Sequence, residues 1–386
     1  MKPNIIHSIV VCLAAFALPF MVACSSQEES LPEEISEAIL YLNIEPVGLT
    51  RAGTATLPDN EKMHSVRVIV LHEDGTVEHN KFYSLDDAQE QRSILLKVTP
   101  NEKKKIYLFA NEESVSTVEG VADVNSTLSA FFHTYVEGMS GFEDAVNGLY
   151  FAPDYSAGKP IPMSSMYEID FPEKGNFDGV FYVVRVATKF TVNFKNWRGE
   201  EVTVENFSIE SHADKNFLMA HVNSYPDTQN PETNQKYPTW IDWLKAVSDA
   251  SNVDSDAATN RFGWLTDYEL PEQSTATIYT HGKVTVGKPT VDIDNPDNSK
   301  PGVASVVPVF YLPESKNLKA GATEQEYTLS INIVGRAETF VCKLDKLKAL
   351  FRNTHLVVNI TMYNSNEIVV DVIPYSEVIL EPEFGL

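Results

Sequence analysis

Three short stretches carry residue types that could do chemistry. Ser156 and Lys159 in "SAGK" stand at Ser-x-x-Lys spacing, which in some acyl-transfer enzymes supplies a nucleophile and its base. They lie in a Pro/Gly-rich loop without companion motifs, so they read as a turn. Asp292, Asp294 and Asp297 in "DIDNPDNSKPG" crowd carboxylate oxygens together. A calcium loop of EF-hand type needs Gly sixth and Glu twelfth, where Asp297 and Val303 stand. The loop 292–298 therefore reads as solvated acid, with calcium binding the open alternative. The nine histidines do not pair at metal-ligand spacing, and His72 and His79, flanking a hairpin, read as surface residues. No P-loop, HExxH or nucleophile elbow occurs, and no carboxylate pair stands out for glycoside hydrolysis. The expectation is a protein with no catalytic residue, no metal and no cofactor.

A different kind of chemistry concerns the N-terminal region. Lys2 and the nearly continuous apolar run Ile5–Phe20 suit a secretory signal, residues 1–23. The run ends in "MVAC", which resembles a bacterial lipobox with Met21 where Leu is usual. Cys24 would then be lipidated (palmitate among its acyl chains) and become the first residue after cleavage. The acidic tether "CSSQEESLPEE" fits a lipoprotein spacer, and an ordinary signal peptide with an incidental cysteine is the alternative. The other cysteines are Cys12, inside the signal, and Cys342, so no intramolecular disulfide is expected and stability must come from core burial. Arg51 is the first Lys or Arg after Lys2. Its neighbours in "NIEPVGLTRAGTATLPDN" are small and flexible, which predicts an accessible loop.

The elements that surround these residues have period two. Net charge is −24, from 30 basic and 54 acidic residues, which argues against nucleic acid as a partner and for solubility. In "VFYVVRVATKFTVNF", Tyr182, Val184, Val186, Phe190, Val192 and Phe194 alternate with polar residues, predicting one long half-buried strand. "HSVRVIVLHEDGTVEHNKFY" predicts a hairpin turning at Asp74-Gly75. "KKIYLFAN", "EVTVENFSIE", "EYTLSINIV" and "HLVVNITMY" read as further strands, the last placing Leu356, Val358, Ile360 and Met362 on one face. Helices are predicted at "NSTLSAFFHTYVEG", "PTWIDWLKAVSDA" and "KLDKLKALFRN". The chain shows no convincing short internal repeat. The class is all-β with a few short helices, arranged as antiparallel sandwiches.

A Pro/Gly/Asn-rich stretch at residues 170–179 marks a boundary, giving a domain over 52–175 and another over 176–386, preceded by a tether and strand over 24–51. Outside two domains of sufficient size lie apolar strands near both ends. Leu40, Leu42 and Ile44 alternate with Tyr41, Asn43 and Glu45 in the first. Ile368, Val370 and Val372, then Val378 and Leu380, alternate around Pro374 in the second. Each strand either completes its own domain's sheet or is exchangeable.

The segments "SVRVIVLHEDG", "IYLFAN", "IPMSSMYEIDF", "YVVRVATKFTVNF", "VFYLPES", "LKALFRNTHLVVNITMY" and "VIPYSEVILEPEFG" occur in an order that resembles the fimbrillins, the two-domain pilins of type V pili. Tyr375 departs from the family's usual Trp. The resemblance implies two tandem transthyretin-like β-sandwiches. It also implies lipidation at Cys24, outer-membrane delivery, and cleavage between Arg51 and Ala52 by an Arg-specific protease. Cleavage would detach the strand bearing Leu40, Leu42 and Ile44. The vacated groove would take the C-terminal strand of another subunit (Ile368, Val370, Val372, Val378, Leu380) by β-augmentation. Four or five buried aliphatic side chains give a gross gain of about 6–15 kcal/mol before ordering costs. Such head-to-tail contacts build an open filament. The implied partners are other pilin subunits, the protease, the outer membrane before processing, and a host or bacterial surface ligand. The implied destination is an extracellular fimbrium, with this chain as stalk or tip. The alternative is a surface glycan-binding lipoprotein of a polysaccharide-uptake system.

Overall fold

The structure, a computed structural model, describes residues 38–46, 57–121, 126–156, 158–173, 175–210, 212–220, 278–306, 308–316, 327–344, 349–364 and 367–373. Residues 37–386 form one compact unit. Its first elements are β1 (Ala38–Pro46), β2 (Met63–Leu71), β3 (Val77–Gln89), β4 (Arg92–Val98), β5 (Lys103–Ala110), α1 (Leu128–His133), α2 (Phe142–Asn147), β6 (Tyr150–Phe151), β7 (Met163–Asp170) and β8 (Asn176–Arg185). Next come β9 (Ala187–Asn196), β10 (Val202–Glu210), β11 (Asn216–Phe217), β12 (Ile278–His281), β13 (Val284–Val286), β14 (Gly302–Ser305) and β15 (Phe310–Pro313). The last are β16 (Ser315–Lys316), β17 (Thr328–Ile333), β18 (Phe340–Lys343), β19 (Ala349–Leu350), β20 (His355–Met362) and β21 (Ile368–Ile373). Among the described residues the protein is β-rich and its short helices are few, as the alternating sequence predicts.

The first sheet runs β3-β2-β5-β7-β8-β1-β4. It turns a corner at β8, which pairs with β1 along most of its length and with β7 only at Val184 and Arg185. The sheet thereby faces itself. Leu40 and Leu42 of β1, Ile94 and Leu96 of β4, Val66 and Val68 of β2, and Ile106 and Leu108 of β5 meet in one core. On the opposite face of β2 and β5, Ile69, Leu71, Tyr107 and Phe109 pack against Phe131 and Phe132 of α1 and Phe142 of α2. Burial on both faces explains the nearly unbroken apolar run in "VRVIVL". The hairpin between β2 and β3 closes as expected, with Gly75 at φ +83° and the His72 amide donating to the Thr76 carbonyl.

The second part of the unit packs the sheet β14-β9-β20-β21, with β15 also on β9, over the sheet β12-β10-β17-β18, with β13 on β10. Phe190, Val192 and Phe194 of β9, Leu356, Val358 and Ile360 of β20, and Phe207, Leu329 and Ile331 of the facing sheet fill the space between. All four apolar residues expected to share a face in β20 are fully buried. Most pairings are antiparallel, but β1–β8 and β9–β20 are parallel.

The single long strand expected over 180–194 is two strands in two different sheets. Val186, between them, leaves the ladder. Its amide donates to the Pro162 carbonyl, and its own carbonyl accepts from Asn216 Nδ2 (2.6 Å) and the Tyr155 hydroxyl (3.2 Å). The alternation continues through the break, which is why the sequence reads as unbroken. β8 also serves two cores, Phe181 and Val183 facing the first and Val184 the second. The expected boundary between 175 and 176 falls just before this strand, which pairs with β1 and β7. Of the expected helices, "NSTLSAFFHTYVEG" contains α1, capped by the Thr127 hydroxyl accepting from the Ala130 amide. "PTWIDWLKAVSDA" lies outside the described residues. "KLDKLKALFRN" is not helical where it is described. Ala349 and Leu350 pair with β16, and Leu344, Leu350 and Phe351 are core residues. Among the described residues no helix is long and apolar enough to cross a membrane.

Candidate functional site

β1 is an interior strand. It pairs antiparallel with β4 from Ala38 to Ile44 and parallel with β8 from Ile39 to Pro46, so its backbone is bonded on both sides. Its burial alternates perfectly: Leu40, Leu42 and Ile44 have no exposed surface, while Ile39, Tyr41, Asn43 and Glu45 are half-buried on the outer side. The three aliphatic side chains alone contribute a gross burial free energy of about 5–9 kcal/mol. Withdrawing β1 would open an apolar slot in the middle of a layer and strand two rows of backbone groups, one on β4 and one on β8.

A polar ladder fixes the register on the outer side. Asn43 Nδ2 donates to Asp178 Oδ1 of β8 (3.1 Å), and Asn43 Oδ1 accepts from Ser93 Oγ of β4 (2.7 Å). Glu45 Oε1 accepts from Gln91 Nε2 (2.8 Å), and burial raises the Glu45 carboxyl above its ordinary range. Because strands have period two, a one-residue slip would turn the leucines outward; the Asn43 ladder opposes slips of two.

Arg51 and Ala52 follow β1 in sequence and lie outside the described residues, as does Cys24. Of the expected exchangeable C-terminal residues, Ile368, Val370 and Val372 lie in β21, which among the described residues is an edge strand paired with β20 alone. Ile368 is buried, and Val370 packs partly buried against the second core. Val378 and Leu380 lie outside the described residues. The structure thus places Leu40, Leu42 and Ile44 in one core and Ile368 and Val370 at another. Each described terminal strand completes a sheet of its own chain.

Just downstream of the 47–56 segment, Glu61 anchors the chain. Its carboxylate, fully buried, accepts from Lys189 Nζ and the Tyr311 hydroxyl, both at 2.6 Å, and its backbone carbonyl accepts from Arg185 Nη2 at 2.8 Å. Burial works against the Glu61 charge, but Arg185 and Lys189 outweigh it and hold the carboxyl below its ordinary range. The Asn60 carbonyl also accepts from the Ile161 amide. This clamp joins the start of β2 to the β8–β9 junction and β15. A second buried pair, Arg352 Nη2 to Glu314 Oε2 (2.6 Å), ties the segment before β20 to β15, and Arg352 Nη1 also donates to the Leu218 carbonyl (3.1 Å).

Sequence reasoning missed these clamps and a third charged cluster. Lys104, fully buried, donates to Glu78 Oε2 (2.6 Å) and to Glu102, and His72 Nδ1 lies 2.6 Å from Glu102 Oε1. His72, Glu78 and Glu102 stand close enough together to hold a metal ion. The Lys104 ammonium already lies against both carboxylates, making the cluster an ion-pair network. A signal was available in the sequence: Lys104 shares the parity of Ile106 and Leu108, which demands a buried partner. His79, expected at the surface, bonds through Nε2 to the Lys97 carbonyl.

The other stretches with chemical potential are local structures. The Lys159 amide donates to the Ser156 carbonyl, and Lys159 Nζ pairs with Asp154, so "SAGK" is a turn. Asp292 Oδ1 accepts the amides of Asp294 and Asn295, and Oδ2 accepts from Asn298 Nδ2, so this carboxylate organises its own loop. Cys342 is a half-buried thiol in β18.

No protein-family model matches the chain, and no curated protein sequence matches it. Among solved structures it is similar to the tip fimbrial protein Mfa3 from Porphyromonas gingivalis with a C-terminal truncation. That similarity covers 88% of this chain and 99% of that one, at 12% identity and a TM-score of 0.48. It is also similar to a fimbrial assembly protein from Parabacteroides distasonis, over 88% of this chain and 98% of that one, at 10% identity and a TM-score of 0.44.

Proposed function

We propose that this chain is a fimbrillin-like pilin subunit, stalk or tip, of a cell-surface fimbrium. It is built on two transthyretin-like sandwiches and assembled by protease-triggered strand exchange. In this reading Cys24 carries lipid to the outer membrane and an Arg-specific protease cuts between Arg51 and Ala52. The observation that supports the proposal is the position of β1: an interior strand, bonded on both edges and buried on one face, followed in sequence by Arg51. A strand buried on one face and bonded on both edges is costly to remove and leaves a slot that another strand of the same alternation fills. The precursor keeps that slot occupied. Cleavage at Arg51 converts the tether into a detachable peptide, so the slot becomes available by mass action. The Glu61 clamp lies downstream of the cut and retains the rest of the chain when β1 departs.

The proposal is tested with the purified precursor and an Arg-specific protease. Preferential cleavage at Arg51, followed by assembly into filaments, is expected. Cleavage elsewhere first, or an Arg51-cut chain that stays monomeric in the presence of further cut subunits, would contradict it. Replacing Arg51 with Ala is expected to block assembly while leaving the precursor's folded stability unchanged.

A further inference from the structure

Lys104 is bonded to two carboxylates, one more than its charge requires. Among the described residues no other lysine is fully buried, and it lies on the face of β5 that carries Ile106 and Leu108. Leu71, the last residue of β2, pairs with Val77 on one side and Lys105 on the other. Glu78 and Lys104, their chain neighbours, therefore flank the end of β2. Lys104 Nζ donates to Glu78 Oε2 at 2.6 Å and to Glu102 Oε1. The other oxygen of Glu78, Oε1, accepts the Thr99 amide at 2.5 Å. Glu78 is buried, Glu102 and His72 are half-buried, and His72 Nδ1 lies 2.6 Å from Glu102 Oε1.

These are the groups that amide formation needs. A primary amine is held against a carboxyl, a donor sits on the oxygen that bears charge in the tetrahedral intermediate, and a second carboxylate touches the amine. We propose that Lys104 and Glu78 condense in the folded chain to an isopeptide bond, with loss of one water. The first proton passes from Nζ to Glu78 Oε2 along the existing hydrogen bond. That leaves a neutral amine and acid, which exclusion of water brings closer in free energy to the ion pair. The Nζ lone pair attacks Glu78 Cδ, and negative charge moves to Oε1, where the Thr99 amide holds it. Glu102 takes a second proton from Nζ and returns it to Oε2. The Cδ–Oε2 bond breaks, water leaves and the Nζ–Cδ amide remains. Ammonium plus carboxylate gives amide plus water, so the step needs no co-reactant.

The surroundings divide the roles of the two carboxyls. The Thr99 amide marks Glu78 as the acyl donor. Burial works against the Glu102 charge, but bonds from Lys104 and His72 outweigh it and hold that carboxyl below its ordinary range. Glu102 therefore rests as a carboxylate and carries a proton only in passing. The other lysine bonded to a buried carboxylate, Lys189, lacks this arrangement. It is only half-buried, and Arg185 also faces its partner Glu61, which keeps that carboxylate charged. The Glu78–Lys104 bond would close a covalent loop over residues 78–104. That loop contains β4, the antiparallel partner of β1. β4 is then rooted in β3 and β5 independently of β1, so the inference does not rest on strand exchange.

The test is mass spectrometry of the full chain, purified folded, then denatured and digested. One pair of peptides should be found joined through Glu78 and Lys104, lighter by one water than the two together, with the unjoined pair a minor species. Lys104→Arg and Glu78→Ala should each abolish the joined pair. Glu102→Gln keeps both the amine and the acyl group. In newly made chain that unfolds cooperatively in urea, it should slow joining about a hundredfold. Recovery of the two peptides unjoined from the folded, unaltered chain overturns the inference, whether or not the variants fold. A bond from Lys104 to Glu102 in place of Glu78, or a joined pair that survives Lys104→Arg, overturns it as well. Joining of the Glu102→Gln chain at the unaltered rate overturns the role given to Glu102.

Discussion

β1 and β21 both carry aliphatic side chains at alternate positions, yet they are held in different ways, β1 in the first core and β21 at the second. β1 lies between β4 and β8, bonded on both edges; among the described residues β21 lies at the end of its sheet, bonded to β20 alone. Val369 of β21 is well exposed, whereas β1 has no fully exposed residue. Removing an edge strand shortens a sheet and leaves one row of unpaired groups. Removing an interior strand leaves two rows with an apolar slot between them. A similar sequence pattern therefore does not fix whether a strand lies inside a sheet or at its edge; its neighbours do. That asymmetry makes β1 the more costly of the two to remove.

The asymmetry is broken most directly by truncating one side chain in each strand. Leu42→Ala should destabilise the precursor by about 3–5 kcal/mol, since it leaves a cavity inside the first core. Val370→Ala should cost about 1 kcal/mol, because its side chain is only partly buried. Urea unfolding of the two variants gives both values, and equal costs would mean the strands are not differently held.

The next effect sharpens the limit of the β1 slot. The Glu61 carboxyl is held below its ordinary range in the fold, so its stabilisation is complete above the ordinary carboxyl pKa and is lost as pH falls through the folded value. Glu61→Gln should lower stability at neutral pH by about 3 kcal/mol and flatten the acid limb of the stability–pH curve. Limited proteolysis of the Arg51-cut variant should extend past residue 61, where the unaltered chain resists. The smallest effect concerns register. Asn43→Ala should cost about 1 kcal/mol, measured by the same unfolding experiment, because it removes two partly exposed hydrogen bonds without touching the core.

Much of this arrangement was legible in the sequence, and the reasons for the remainder are physical. Alternation located β1, β5, β10, β17, β20 and the β2–β3 hairpin, because one face of each meets a core and period two records it. The same signal ran straight through Val186, where two strands of different sheets share parity and side-chain bonds hold the break. It also suggested a helix across Leu344–Phe351, where, among the described residues, Leu350 lies in β19 and Leu344, Leu350 and Phe351 pack on the second core. The buried face of β1 could be read from Leu40, Leu42 and Ile44; its interior place could not, since pairing with β4 and β8 depends on residues far along the chain. Lys104 and Arg67 were missed although each falls on an apolar face of its strand; Lys104 meets Glu78 and Arg67 meets Glu112 in buried pairs. The Glu61 partners, distant in sequence, left no such mark.

The account turns on β1 being replaced rather than merely cut. The most direct measurement is the mass spectrum of subunits taken from assembled filaments, dissociated under conditions that retain every bound peptide. The account predicts chains that begin at Ala52 with the 38–46 peptide absent. Filaments whose subunits still hold that peptide, or whose chains remain continuous through Arg51, would contradict it.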